Sequence, residues 1–212
     1  MEQEFSITEL GNPAKPQGEA GAQMLAQMNE HHYAVSGWGI GHLHLQNDDR
    51  ILDIGCGGGE TLARLSALAP HGKLCGVDYS PVSVASSTQR NAPDISCGKM
   101  RIIEASVEHL PFDDNAFDRI VTVESFYFWP NPAENLKEVF RVLAKGGQFL
   151  IIADIHGDAE LSQDDIDNIQ KYSLRNPSPD EFQHLLQNAG FSDVQIHLQN
   201  DTTWICAEGS KT

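Results

Sequence analysis

The sequence predicts a doubly wound α/β fold built on a seven-stranded, mostly parallel sheet, and three observations support this prediction. The apolar stretch 51–54 runs into the glycine cluster 55–59 and then into a helix-like segment, which is the pattern of a buried strand, a tight turn and a helix start. A second strand-like stretch, 73–78, ends in an acid roughly twenty residues after that turn. Strand-like and helix-like segments then alternate up to residue 153, which predicts strands lying side by side with helices on both faces.

The individual elements are predicted from local signals. Pro70, His71 and Gly72 end the first helix, and Ser80 followed by Pro81 begins the second. Apolar residues spaced three and four apart mark the helix before the fifth strand. The last two strands are expected to form an antiparallel pair that completes the sheet. The predicted helices cover 58–68, 81–90, 131–143 and 178–188, with a loop and helix start over 157–167, and the predicted strands cover 51–54, 73–78, 100–105, 118–123, 148–153, 191–198 and 202–207.

The N-terminal part is predicted to differ from the rest of the chain. Residues 1–19 hold two prolines and two glycines and show little periodicity, which predicts an extended arm. Residues 20–45 become helical in pattern and predict a helical cap, whose second helix covers 38–45. The remaining residues, 46–212, form the α/β part, and 212 residues are enough for one domain with its own core.

The charges around the glycine cluster indicate what binds there. Asp53 precedes the turn, Glu60 follows it, and the loop lacks the lysine of a triphosphate cradle. Two acids repel a pyrophosphate and favour a ligand with positive charge, such as the sulfonium and amino group of S-adenosylmethionine (SAM). Asp78, at the end of the second strand, is placed to accept both hydroxyls of a ribose, and Tyr79 to cover an adenine face.

Four stretches resemble, in order, the motifs of class I SAM-dependent methyltransferases: 53–59, 76–80, 108–118 and 141–147. The resemblance covers about residues 50–155. It implies a Rossmann-like methyltransferase domain over 46–212, SAM as cofactor and S-adenosylhomocysteine as product. Many members carry Asp where this chain has Ser106, so an adenine contact there is weaker, and the amide of Val107 is an alternative. The cofactor-binding residues that follow are Asp53, Gly55, Cys56, Gly57, Asp78, Tyr79, Ser106, Val107 and Glu124.

The acceptor end is expected after the fourth strand, because ligands of open α/β sheets lie outside the carboxyl ends of strands. Glu124 is the acid of this stretch, and Tyr127 belongs to its dense aromatic run. Both are candidates for acceptor positioning, with a purely structural role as the alternative. In the cap, either His31 or His32 is a candidate for the acceptor pocket. The predicted pocket residues are His31, Tyr33, Trp38 and Tyr127.

The cap histidines raise the question of a metal site. His42 and His44 are two apart, which on a helix points their side chains to different sides, and the nearby sequence offers no obvious carboxylate or cysteine partner for the cap histidines. The sequence therefore predicts no metal.

Charge and cysteine usage narrow the class of partner. A formal net charge of −16 argues against binding nucleic acid or an anionic membrane surface, which favours a small-molecule acceptor. The sequence shows no apolar run of membrane-spanning length and no secretory signal pattern, and the four cysteines form no metal-type pair. These features predict a cytoplasmic protein with reduced thiols. The sequence leaves the acceptor and the oligomeric state open.

The predicted reaction is direct SN2 transfer of the SAM methyl group to a nucleophile on a small molecule. Two alternatives remain on the same fold: a SAM-binding sensor without turnover, and a methyltransferase acting on a protein side chain. A nicotinamide oxidoreductase also shares this fold, but Asp53, Glu60 and the later motifs argue against it.

Overall fold

A computed structural model describes residues 10–212 and confirms the doubly wound α/β fold class. Seven strands form one sheet in the order β3-β2-β1-β4-β5-β7-β6. The strands are β1 (Arg50–Ile54), β2 (Lys73–Asp78), β3 (Met100–Glu104), β4 (Phe117–Val123), β5 (Leu143–Ala153), β6 (Ser192–Leu198) and β7 (Ile205–Ser210).

The strand directions follow the predicted pattern. Strands β1 to β5 pair in parallel, whereas β7 runs antiparallel to both β5 and β6. The order reverses between β1 and β4, where the chain crosses from one half of the sheet to the other. This crossover opens a crevice at the carboxyl ends of the strands, which is the usual ligand position in such sheets.

The helices flank the sheet and begin where the local sequence favours a cap. Ser80 accepts a hydrogen bond from the Ser83 amide, and Ser178 forms a capping box with Glu181. The described helices are α1 (Gly18–His31), α2 (Tyr33–Ile40), α3 (Glu60–Leu68), α4 (Pro81–Arg90), α5 (Ala92–Ser96), α6 (Pro132–Val142), α7 (Gln163–Tyr172) and α8 (Pro179–Ala189), with a short 3-10 helix at Phe126–Phe128.

Several boundaries differ from the prediction, among them that of strand β7, which covers Ile205–Ser210 rather than 202–207. The second cap helix covers Tyr33–Ile40 rather than 38–45, because Gly41 follows it and the chain turns there. Strand β5 begins at Leu143 instead of 148, since the chain passes through a turn at Gly146, φ 75°, and continues in the same strand.

The N-terminal segment covers the carboxyl ends of the strands. Met24 and Leu25 of α1 are buried, and α2 packs against β5, where Gly39 faces Ile152 so closely that a Cβ atom would collide with it. Residues 10–17, the described part of the predicted arm, lie against the end of β2, where the Ser80 hydroxyl donates to the Pro16 carbonyl at 2.7 Å. The predicted arm over residues 1–9 lies outside the described residues. Within 10–212, no helix combines the length and apolar character needed to cross a bilayer.

Candidate functional site

A cavity of about 340 Å³ lies at the carboxyl ends of β1, β2 and β4, under the cap. Its floor is formed by the loops that follow these strands, and its roof by residues 13–16 and one face of α1. The wall includes the predicted cofactor residues Gly55, Cys56, Gly57, Asp78, Tyr79, Ser106, Val107 and Glu124. The structure therefore brings eight of the nine predicted cofactor residues to one cavity, and places Asp53 beneath it.

The glycine loop is shaped by its backbone. Gly55 has φ 74° and Gly57 φ 48°, both in the left-handed region that favours glycine. The amides of Gly55 and Cys56 donate to the Val77 carbonyl at 2.8 and 3.1 Å, which ties the loop to the end of β2. A Cβ atom on Gly55 would collide with the hydroxyl of Ser125. The close approach of these two loops therefore requires glycine at position 55.

Asp78 connects the glycine loop to the start of α4. Its Oδ2 accepts from the Gly57 amide at 3.0 Å, and its Oδ1 accepts from the Ser80 amide at 2.9 Å. Burial raises the pKa of this carboxyl, and the backbone hydrogen bonds oppose that rise. Asp78 lines the cavity, and a carboxylate has about four acceptor positions, so it can also accept hydrogen bonds from a ligand there.

Asp53 lies beneath the loop as a buried acid without a hydrogen-bond partner among the described residues. Burial, followed by the nearby charge of Asp78, raises its pKa to about 8. Glu60, the second acid of the loop, lines the cavity and pairs with Arg90 at 2.8 Å. Glu60 is paired and the buried Asp53 carboxyl holds its proton at neutral pH, so the negative potential expected from the sequence comes from Asp78. It fits a ligand with cationic groups, as SAM has.

The adenine side of the cavity is formed by Tyr79, Ser106 and Val107. The Tyr79 ring is partly exposed, and its hydroxyl donates to the Ala14 carbonyl of the N-terminal segment. The Ser106 hydroxyl donates to Glu108 at 3.1 Å and accepts from the Glu108 amide at 3.2 Å. Ser106 is thus already engaged, which leaves the aromatic face and the backbone as the free recognition groups.

The opposite end of the cavity contains Glu124, which follows β4 with φ 52°. Its Oε2 accepts from the Tyr127 hydroxyl at 2.7 Å, and its Oε1 accepts from the Asp154 amide at 2.6 Å. Burial raises the pKa of Glu124 well above its usual range, and the charge of Asp154 adds to the rise. Phe128 and Trp129, from the aromatic run, line the cavity beside Glu124.

None of the four residues predicted for the acceptor pocket lines the cavity. Tyr33 is 56% exposed, with its ring against Arg64. Trp38 packs against His42 and Trp204. His31 is exposed beside the cavity, and Tyr127 reaches it only through its hydrogen bond to Glu124.

The cap contributes a different set of residues, and among them is His32, the other histidine considered at this position. The Nε2 atom of His32 lies 3.8 Å from Glu124 Oε2. Burial, followed by the neighbouring His31, lowers the pKa of His32 to about 4, although Asp154 opposes this. Along α1, Leu25 is three and four residues before Met28 and Asn29, a spacing that selects one helix face. This spacing is the sequence signal for the part of the cap that faces the cavity. The cap residues on the wall are Leu25, Met28, Asn29, His32 and Ser36.

The fold and the cavity together define an α/β protein that binds its ligand where the strand order reverses. Comparison with known proteins specifies the family. Residues 52–151 match the methyltransferase domain family. The chain is 31% identical over 149 residues to the chloroplastic 2-methyl-6-phytyl-1,4-hydroquinone methyltransferase of Arabidopsis thaliana, covering 70% of this chain and 42% of that protein.

Two further methyltransferases are similar to this chain, one in sequence and one in fold. The ubiquinone/menaquinone biosynthesis C-methyltransferase of Bartonella quintana is 31% identical over 173 residues, covering 68% of this chain and 65% of that protein. The chain thus spans less than two thirds of either relative's length. The solved geranyl diphosphate C-methyltransferase of Streptomyces coelicolor, in complex with Mg²⁺, geranyl diphosphate and S-adenosylhomocysteine, shares the fold with a TM-score of 0.75 at 16% identity, covering 96% of this chain and 87% of that one.

Residues 52–151 thus form a domain of the methyltransferase family, and the chain has the fold of a solved methyltransferase that binds S-adenosylhomocysteine. This confirms the family indicated by the four sequence motifs.

Proposed function

We propose that this protein transfers the methyl group of SAM to a small hydroxylated aromatic molecule. One observation carries the proposal: the glycine loop, Asp78 and the unpartnered Asp53 surround one end of a cavity whose other end holds Glu124 and an aromatic wall. A cationic methyl donor fits the first end by charge. An apolar ring with a polar substituent fits the second.

The residues that would hold SAM follow from the groups they present. Asp78 accepts the ribose hydroxyls with its remaining lone pairs, and Tyr79 packs on the adenine. The backbone of Gly55 and Gly57 gives the methionine part close access to the main chain. The buried Asp53 carboxyl can release its proton when a cationic group lies near it, which favours a sulfonium ligand.

When bound, SAM supplies a methyl group already activated by its sulfonium. The contribution of the chain is to bind and orient both reactants and to exclude water, and orientation alone contributes about 7 kcal/mol or more in well-aligned reactions. The cap closes the cavity from above through Met28 and His32. The Tyr127 hydroxyl fixes the Glu124 carboxylate, which is then available to position a polar group of the acceptor.

Two observations support an aromatic acceptor. Met28, Phe128 and Trp129 form an apolar wall next to Glu124, which suits a ring with one polar edge. The relatives named above are methyltransferases of hydroquinone and quinone biosynthesis.

The test is an acceptor screen in which release of S-adenosylhomocysteine from SAM is followed by mass spectrometry, with phenols, hydroquinones and aromatic amines as separate arms. We expect turnover with a hydroxylated aromatic compound and its loss in Asp78→Ala, while Asp113→Ala, an exposed acid outside the cavity, keeps full activity. SAM binding without turnover in every arm would favour the sensor alternative, and turnover on a protein substrate alone would favour the protein-methylating one.

We also propose a reducing location such as the cytoplasm. All four cysteines are free thiols, three of them buried. A disulfide found in the protein isolated from its natural source would contradict this.

A further inference from the structure

Two neighbouring histidines of the cap lie beside an acid that follows strand β5. His31 is the last residue of α1, and His32 is the residue between α1 and α2. Asp154 directly follows the last residue of β5. One ligand atom from each of the three side chains lies within 4.8 Å of the others. The sequence offers the cap histidines no obvious carboxylate partner and predicts no metal, whereas the fold brings Asp154 beside them.

The surroundings of this cluster are acidic. The Asp154 amide donates to Glu124 Oε1 at 2.6 Å, and Glu124 Oε2 is 3.8 Å from His32 Nε2. Two acidic side chains therefore meet two imidazoles at one end of the cavity. Imidazole nitrogens and carboxylate oxygens grouped in this way suit a divalent cation.

The ligand types identify the class of cation. Imidazole nitrogens favour zinc and its transition-metal neighbours, whereas magnesium and calcium prefer oxygen ligands throughout. Zinc holds imidazole nitrogens and carboxylate oxygens at about 2.0–2.2 Å, so that two ligands of a tetrahedral site lie about 3.4 Å apart. The three ligand atoms lie within 4.8 Å of one another, so a small shift of the side chains would bring them to this separation. His31, at the exposed edge of the cluster, has room for such a shift.

We propose that His31, His32 and Asp154 form a binding site for a zinc-type divalent cation at the acceptor end of the cavity. Three protein ligands leave one position of a tetrahedral zinc ion open, as in catalytic rather than structural sites. His32 lies on the cavity wall, so the open position is within reach of a hydroxyl or thiol of a molecule bound there. This last step, which assigns the acceptor a metal-binding heteroatom, rests on the proposed function; the metal site itself does not.

The test is a titration of the metal-stripped full-length protein with Zn²⁺, followed by calorimetry and by competition with a chromophoric chelator. We expect one Zn²⁺ per chain with a dissociation constant of about 1 µM or tighter. His31→Ala and Asp154→Ala should each weaken binding at least tenfold. The matched control is His71→Ala, which removes an exposed histidine from the loop before β2 and should leave the affinity unchanged.

These measurements distinguish a specific metal site from weaker binding at the protein surface and from misfolding of a variant. Binding weaker than the chelator can detect, or equal binding in wild type and both variants, overturns the proposal. Because His31 is exposed and lies off the cavity wall, His31→Ala should keep the wild-type melting temperature and affinity for S-adenosylhomocysteine, which shows that the variant is folded. Failure to bind S-adenosylhomocysteine in the wild type would count against the proposed function and leave the zinc result intact.

Discussion

The two ends of the cavity are built in different ways. The cofactor end consists of loops that directly follow β1, β2 and β3, and its contacts are largely made by the backbone, as in the amides that Gly57 and Ser80 direct at Asp78. The acceptor end is assembled from the cap, the loop after β4 and the end of β5. Its contacts are made by side chains, with Glu124 held between Tyr127 and Asp154.

This difference suggests a division of roles. Backbone groups held by glycine turns recognise a ligand part that stays the same, because they do not depend on the choice of side chain. An end made from side chains of three separate segments can change its chemistry by substitution without disturbing the sheet. We therefore expect substitutions at the first end to affect cofactor affinity and stability, and those at the second end to affect turnover.

The largest expected effect concerns the pH dependence of stability at the cofactor end. The pKa of Asp53 is raised from its ordinary value of 3.8 to about 8. Between these values the folded protein binds a proton at Asp53 that the unfolded chain releases, so the free energy of unfolding falls as pH rises. Asp53→Asn removes this dependence. From pH 4 to pH 7 the variant should gain on the order of 3 kcal/mol relative to wild type.

This effect is measured by urea unfolding of both proteins, without ligand, across that pH range. Asp113→Asn, at an exposed position, is the matched control and should follow the wild type. If the difference in the free energy of unfolding between Asp53→Asn and wild type does not change with pH, Asp53 is ionised in the folded protein.

The next effect tests whether the cofactor end depends on backbone conformation. Gly55→Ala adds a methyl group at φ 74° that collides with Ser125. We expect the affinity for S-adenosylhomocysteine to fall about a hundredfold, or roughly 2.8 kcal/mol. Gly98→Ala is a close control, since Gly98 also has φ 74° but has open space around the added Cβ. It carries the same backbone strain, so it should lose stability but keep full affinity.

Asp78→Ala should weaken binding of S-adenosylhomocysteine at least tenfold, because two ribose hydrogen bonds to a carboxylate are lost. Isothermal titration calorimetry gives the affinity, and a thermal melt shows whether the glycine loop has loosened at the same time. Asp78→Asn retains one acceptor oxygen and should lie between wild type and Ala. An unchanged affinity in Asp78→Ala would exclude the ribose assignment.

The smallest expected effect belongs to the acceptor end. Tyr127→Phe removes the hydroxyl that holds Glu124, and a hydrogen bond of this kind contributes about 1 kcal/mol. With the acceptor found in the screen, kcat should fall by up to about tenfold while the affinity for S-adenosylhomocysteine stays at the wild-type value. Tyr33→Phe, on the exposed face of the cap, should change neither. A loss of cofactor affinity in Tyr127→Phe would mean that the cofactor end and the acceptor end of the cavity do not act independently.

The same difference explains what could be predicted from the sequence. The glycine loop and Asp78 lie in short stretches whose strand-turn-helix pattern determines both the fold and the position of the ligand. The residues at the acceptor end are brought together by packing between segments that are far apart in the chain, which the sequence does not show. Tyr33 and Trp38 are aromatic residues of the cap, but the cap residues that line the cavity include Met28 and His32 instead. The proximity of Asp154 to His31 and His32 arises from sheet topology, which spacing along the chain does not reveal.

The central claim is that the cavity at the ends of β1 and β2 binds an adenosine-bearing sulfonium compound rather than a dinucleotide. Parallel calorimetric titrations of the full-length protein with S-adenosylhomocysteine and NADH test it most directly. We predict one S-adenosylhomocysteine per chain with a micromolar dissociation constant, and no heat of binding from NADH. Stoichiometric NADH binding, together with no response to S-adenosylhomocysteine, would contradict the account.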